Sequence, residues 1–100
     1  MDEVLQIEYH SGIGDFTDVR WLPFTWKRRA DSLYEAEKRI DEKVAEWVTS
    51  LEADGAKDVQ VIRTRRSLAT HELFEAYISY TIHGVGFNET LAAEVRPQPE

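Results

Sequence analysis

The sequence predicts an α+β fold, a two-layer sandwich in which one long helix covers one face of a four-stranded, mainly antiparallel sheet. Two observations predict it. An apolar stripe at helical spacing occupies the middle of the chain, and segments rich in alternating or β-branched residues lie on both sides. At 100 residues the chain has the length of one domain, which we place at residues 1–96. Residues 97–100 are expected to form a frayed, Pro-containing tail. The predicted order is ββαββ, with room for a short C-terminal helix at residues 88–95.

The clearest element is a helix from about Ser32 to Asp54. Ser32 and Glu35 have the capping-box spacing, in which the hydroxyl caps a backbone N–H and the glutamate reaches back. Gly55 is a natural helix stop. An apolar stripe recurs at three- and four-residue steps, at Leu33, Ala36, Ile40, Val44, Trp47, Val48 and Leu51. The stripe predicts that Trp47 is buried against the sheet.

The N-terminal third of the chain predicts a β-hairpin. Residues 3–10 alternate apolar and polar side chains, as a half-buried strand does. Two glycines and an aspartate within residues 11–15 indicate a turn, and residues 16–22 form a plausible second strand. We expect Pro23 to end that strand, because proline has no N–H to donate. Residues 24–30 fit either a loop or an early helical turn.

The second half of the chain predicts two more strands, at residues 58–65 and 74–83. The second of these has Phe74 and its alternate neighbours on one face, and Tyr77 with polar residues on the other. The face without a helix must be solvated or covered by a partner. Because aromatic side chains on an open sheet face are common in dimers, we expect a homodimer through that face or through an edge strand, with Tyr77 and nearby aromatic residues in the contact.

Charge and composition narrow the classes of protein. The formal net charge is −7, which opposes non-specific binding to nucleic acids. Residues 20–30 nevertheless hold four bases and no acid, and residues 57–66 form a second basic island. There is no cysteine, which excludes disulfides and thiolate metal sites. The start of the chain lacks the pattern of a signal peptide, and no apolar run is as long as a membrane span, so we expect a cytoplasmic protein.

Catalytic motifs are not evident. His10, His71 and His83 lack the close spacing of metal ligands, so ligands would have to come from separate elements, and we expect exposed histidines without a metal. The glycine pairs at residues 12–14 and 84–86 lack the context of a phosphate loop and indicate turns. No serine lies in a nucleophile motif. We therefore predict no catalytic residue and no cofactor.

The most distinctive segment is residues 20–29, which combines aromatic and basic side chains around Pro23. Protein interfaces favour Trp and Arg as anchors, and single-stranded nucleic acids also bind to rings beside bases. A structural alternative is that Trp21 and Phe24 fill the space between helix and sheet. Because Trp26, Arg28 and Arg29 lie outside both the helix stripe and the strand alternation, we expect these three residues to be dispensable for folding. The predicted partner-binding residues are Trp21, Phe24, Trp26, Arg28, Arg29 and Tyr77.

The function expected from these observations is that of a non-catalytic, small acidic protein-interaction module, an adaptor or inhibitor that binds a protein partner. The ββαββ order resembles that of many small bacterial and phage accessory proteins, although no motif indicates a family. Two other interpretations stay open. One is a small-molecule-binding or catalytic domain with a pocket between helix and sheet. The other is a nucleic-acid binder that uses residues 20–29.

Overall fold

One long helix lies across a five-stranded antiparallel sheet in the computed structural model, which describes residues 4–15 and 18–97. The strands are β1 (Leu5–Asp15), β2 (Asp18–Ala30), β3 (Lys57–Ser67), β4 (Glu72–Ile82) and β5 (Val85–Pro97), and the helix α1 is Leu33–Ala53. Their order in the sheet is β2-β1-β5-β4-β3. The predicted α+β fold is confirmed. Parts of the predictions lie outside the described residues, namely those for residues 1–3, Phe16, Thr17 and residues 98–100.

Helix α1 has the predicted caps. The Ser32 hydroxyl accepts a hydrogen bond from the backbone N–H of Glu35 at 3.0 Å. The Glu35 carboxylate accepts from the N–H of Asp31 at 3.3 Å, one residue before the cap. Gly55 adopts a φ of 100° just after the helix, which a residue with a side chain rarely does. None of the described residues forms a helix with the length and apolar character that a membrane span requires.

The core lies between α1 and the sheet face that it covers, here the inner face. The helix contributes Ala36, Ile40 and Val44, and these pack with buried residues of β1, β4 and β5. Those strand residues include Ile7, Tyr9, Phe74, Ala76, Leu91, Ala93 and Val95. Trp47 packs against this cluster as predicted, although it is half-buried rather than buried. The opposite face of the sheet, the outer face, carries no helix.

Strand β2 does not end at Pro23, so that prediction is wrong. The strand runs through Pro23 to Ala30, and residues 24–30 are neither loop nor helix. The pairing with β1 shifts at Ser11, where the chain of β2 carries extra residues around Pro23. A bulge on an edge strand accommodates proline, because the missing N–H is not needed by a neighbouring strand. β2 is such an edge strand.

The predicted C-terminal helical turn at residues 88–95 is also wrong, because this segment is the centre of β5. β5 lies between β1 and β4 in the middle of the sheet. Its consecutive residues Leu91, Ala92 and Ala93 are all buried, so the strand lacks the apolar–polar alternation that normally indicates one. The sheet therefore has five strands instead of the expected four.

The first glycine pair lies inside β1, not in a turn as predicted. A Cβ atom on Gly12 would stand 2.5 Å from Cγ1 of Val19, so the strand needs a glycine at this position. Of the other glycine pair, Gly84 lies in a turn, whereas Gly86 lies in β5. His83 and Gly84 have φ angles of 51° and 77°, which is the signature of a tight two-residue hairpin joining β4 to β5.

Candidate functional site

The bulge in β2 exposes three neighbouring apolar side chains, which we call the β2 bulge surface: Trp21, Leu22 and Phe24. Phe24 is 71% exposed, and Trp21 is 48% exposed. Extra residues in a strand turn side chains away from the positions they would have in a regular ladder, and bulges often lie next to functional sites for this reason. Contiguous exposed apolar residues on a rigid strand are a feature of interaction surfaces.

Cations flank the β2 bulge surface on both sides. Arg20, Lys27 and Arg28 are exposed, and within the described part of the chain none of them forms an ion pair. Arg29 lies 3.8 Å from the carboxylate of Asp31, and both side chains are largely in solvent. Ion pairs between side chains this exposed are weak. The β2 edge is therefore locally positive, although the molecule as a whole is acidic.

Trp26 differs from its neighbours, because its side chain lies on the inner face. Its ring stacks with that of Tyr9 at a centroid distance of 5.3 Å and with that of Trp47 at 6.4 Å. The Lys43 ammonium lies 6.0 Å from the same ring. The expectation that Trp26 stands outside the strand alternation is therefore wrong, because β2 continues past Pro23. Trp26 is a packing residue as well as a neighbour of the β2 bulge surface.

Tyr77 lies on the outer face, opposite Ile62 and Thr90, as the alternation predicted. It is half-buried, and its hydroxyl donates a hydrogen bond to Glu75 Oε2 at 2.9 Å. Burial raises the pKa of Tyr77, and the bond to the Glu75 carboxylate raises it further. Strands β1 and β5 separate Tyr77 from β2, so the structure does not bring it together with the β2 bulge surface.

The second basic island does not extend the first, because β3 is the opposite edge of the sheet. Arg63 forms an ion pair with Asp41 of α1, and Arg65 forms one with Glu37. The Arg65 guanidinium also lies 5.0 Å from the ring centroid of Phe74. These cations hold the helix to the edge of the sheet instead of forming a free positive patch.

A polar cluster occupies the outer face, and we call it the outer-face cluster: Glu8, His10, His71, Glu94 and Arg96. The Glu94 carboxylate is at its centre. His10 Nε2 lies 3.7 Å and Arg96 Nη2 lies 2.6 Å from its Oε2 atom, while His71 Nε2 lies 3.8 Å from Oε1. Glu94 and Arg96 were not among the predicted site residues, because Glu94 fell within the predicted helical turn at residues 88–95 and Arg96 just after it. Their alternation with Ala93 and Val95 is a short signal, and the buried run of Leu91, Ala92 and Ala93 interrupts it.

Glu89 binds side chains on the inner face. It accepts hydrogen bonds from Trp47 Nε1, at 3.2 Å, and from the hydroxyl of Tyr80. The Tyr80 ring stacks with Phe87 at a centroid distance of 5.5 Å. Burial, followed by the bond to Glu89, raises the pKa of Tyr80 to about 12. The two donors, Trp47 and Tyr80, pack between the helix and the sheet. We therefore assign their hydrogen bonds to Glu89 a role in stabilising the fold, not in a functional site.

An open cleft of about 460 Å³ lies beside the N-terminal end of α1. Its lining includes Asp31, Ser32, Leu33, Leu68, Glu72 and Val95. Several of its polar groups already have partners. The Ser32 hydroxyl caps the helix, and the Glu72 carboxylate accepts from the Ser67 hydroxyl at 2.9 Å and lies 3.4 Å from Arg65 Nε.

Comparisons with known proteins do not assign the chain to a family. No protein-family model matches it. No curated protein matches it, and neither does any solved structure.

Proposed function

We propose that the chain is a non-catalytic protein-interaction module, an adaptor or inhibitor, whose β2 bulge surface anchors a protein partner. The observation that carries the proposal is the exposure of Trp21, Leu22 and Phe24, which fall within four consecutive positions at the bulge of an edge strand. Binding energy at protein interfaces concentrates in a few aromatic and arginine side chains that enter pockets of the partner. The β2 bulge surface supplies the aromatic rings, and Arg20 and Arg28 flank them.

The charge around the surface defines the chemistry of this partner. Every charged residue between positions 20 and 30 is a cation. Two copies paired through their β2 edges would bring cations against cations, which disfavours that arrangement. The partner at this surface is therefore a different protein, with an apolar pocket and an acidic rim.

A nucleic-acid partner fits the same surface less well. Single-stranded nucleic acids bind where several rings offer free faces for stacking beside cations. The Trp26 ring is engaged by Tyr9 and Trp47, which leaves Trp21 and Phe24 as the exposed rings of the segment. The net charge of −7 also repels phosphates at long range.

A small-molecule-binding function is the second candidate, and the cleft beside the N-terminal end of α1 favours it. The volume of about 460 Å³ is within the range of small-ligand sites. We rank it second because polar groups such as Ser32 and Glu72 are engaged by the fold. A panel of metabolites tested for an increase in melting temperature addresses this candidate directly.

The proposed function is tested by comparing two variants with equally exposed aromatic residues. Phe24→Ala removes the centre of the β2 bulge surface, and Tyr34→Ala removes a ring on α1 that is 78% exposed. Each variant is used to recover proteins, after nuclease treatment, from a lysate of the cells that express the chain. We expect one protein to be recovered by the wild type and by Tyr34→Ala, and to be reduced at least about tenfold with Phe24→Ala.

The melting temperatures of both variants serve as the control for folding. Equal recovery by Phe24→Ala and the wild type would contradict the proposal. Recovery that disappears on nuclease treatment, and that falls steeply with salt, would instead indicate a nucleic-acid partner.

A further inference from the structure

Two carboxylates face each other directly in the middle of the outer face. Glu8 of β1 and Glu94 of β5 are cross-strand partners in the register. Like charges at such positions repel, and both side chains are half-buried, which strengthens the repulsion. Arg96 compensates Glu94 at 2.6 Å, whereas Glu8 has no ion pair within the described part of the chain. Lys27 is the cross-strand neighbour of Glu8 on β2 but forms no ion pair with it, so Arg96 is the cation that pairs with these two carboxylates among the described residues.

A histidine completes a set of three donor groups. His10 follows Glu8 by two residues on β1, so both side chains lie on the outer face. Donor atoms of Glu8, His10 and Glu94 all lie within 4.8 Å of one another. A tetrahedral ion with bonds of about 2.0–2.1 Å holds its donors about 3.4 Å apart, so small side-chain rotations close the set around an ion.

The second observation is the state of the His10 ring. Its Nε2 atom is inaccessible to solvent and has no hydrogen-bond partner among the described residues. A buried ring nitrogen without a partner is costly, and a metal ion is one of the groups that satisfies it. This nitrogen faces Glu94 Oε2 at 3.7 Å, a separation that is too long for a hydrogen bond but suits two ligands of one ion.

We propose that Glu8, His10 and Glu94 form a binding site for a divalent transition-metal ion of the zinc class. One imidazole and two carboxylates suit zinc better than magnesium or calcium, which prefer oxygen ligands alone. Three protein ligands leave the fourth tetrahedral position to water. The site shares no residue with the β2 bulge surface, although the His10 ring lies 6.4 Å from that of Trp21, and it does not depend on the proposed partner.

Two further residues act on the site without ligating the ion. Arg96 occupies Glu94 Oε2 and competes with the ion for that carboxylate. His71 Nε2 lies 3.8 Å from Oε1 of the same carboxylate, and its Nδ1 atom lies 2.9 Å from the hydroxyl of Thr70. Outer groups of this kind tune the affinity of metal sites.

The test is a titration of the tag-free chain with zinc chloride alone, in which calorimetry at neutral pH measures the heat of binding. We expect one ion per chain and a loss of affinity of at least about tenfold in both His10→Ala and Glu8→Gln. Arg96→Gln is expected to bind zinc more tightly, because the competing cation is gone. His83→Asn is the matched control. His83 lies in the β4–β5 turn with a positive φ, a backbone conformation that asparagine also adopts readily.

A second measurement keeps the result clear if a variant folds poorly. The His10 ring lies 6.4 Å from that of Trp21, so Co²⁺ bound in the site should quench Trp21 fluorescence. The quenching should be weaker in Trp21→Phe, which keeps only Trp26 and Trp47, and unchanged in His83→Asn. Binding no tighter than about 1 mM, or affinity unchanged in His10→Ala, would overturn the proposal and leave the cluster as an ion-pair network. Quenching as strong in Trp21→Phe as in the wild type would place the ion elsewhere and overturn it as well.

Discussion

Trp26 of the edge strand and Trp47 of the helix stack with their ring planes 7° apart and their centroids 6.4 Å apart. Through this contact, helix α1 holds the strand that carries the β2 bulge surface. Trp26 also stacks with Tyr9 on the neighbouring strand β1. The exposed residues Trp21 and Phe24 are thereby presented on a supported strand rather than on a loop, which reduces the entropy lost when a partner binds.

The first prediction separates the packing residue from the exposed one. Trp26→Ala should lower the free energy of unfolding by about 2–4 kcal/mol, because it removes a half-buried ring with three neighbours. Phe24→Ala should change it by less than about 0.5 kcal/mol, since that ring is 71% exposed. Urea denaturation of both variants measures the difference. Similar losses in the two variants would show that we have misplaced one of the rings.

The second prediction concerns Trp47. Trp47→Ala should cost about 3 kcal/mol of stability, because the ring packs against both core clusters and its Nε1 donates to Glu89. In a double-mutant cycle with Trp26→Ala, we expect a coupling energy of about 0.5–1.5 kcal/mol from the stacked pair. A loss below about 1 kcal/mol for Trp47→Ala would place the ring on the surface.

The helix and the two strands that follow it, β3 and β4, could be predicted because their signals are local. Ser32 and Gly55 mark the ends of α1, and the alternation around Tyr77 marks β4. Strand β5 escaped prediction because a central strand is buried on both faces, so Leu91, Ala92 and Ala93 show no alternation. The fifth strand could therefore not be inferred from local pattern.

The β2 bulge surface and the outer-face cluster also differed in how far each could be predicted from the sequence. Trp21 and Phe24 could be singled out, because aromatic residues among bases stand out in the chain. Trp26 was grouped with them, because proline at position 23 suggested that the strand had ended. The outer-face cluster depends on the register that places Glu8 opposite Glu94, and no spacing within one segment reveals such a pairing.

The third prediction concerns alkaline pH. Burial and then the bond to Glu89 raise the pKa of Tyr80 from an ordinary value of 10.0 to about 12. Between these values the folded chain keeps a proton that the unfolded chain has lost, so unfolding releases a proton and stability falls as pH rises. Thermal melts from pH 9 to 12 should show a steeper loss in the wild type than in Tyr80→Phe. Parallel curves would contradict the assigned pKa.

The fourth prediction is the homodimer expected from the sequence, with Tyr77 in the contact. Ile62 stands opposite Tyr77 on the outer face and is 53% exposed, so the two form an apolar spot beside the β3 edge. Sedimentation at high micromolar concentration should show a dimer for the wild type and a monomer for Ile62→Lys, because the new charge would be buried without a partner. Monomer alone in the wild type would remove this expectation.

The central claim is that the β2 bulge surface contacts a protein partner, and photo-crosslinking from that surface tests it most directly. A benzophenone amino acid is placed at position 24 in one sample and at position 34 in another, since Phe24 and Tyr34 are similarly exposed. Irradiation in the native cells should join position 24 to one protein, in an acidic region of its sequence, and should leave position 34 without that product. Crosslinking of the same protein from position 34 alone, or no product from position 24, would contradict the claim.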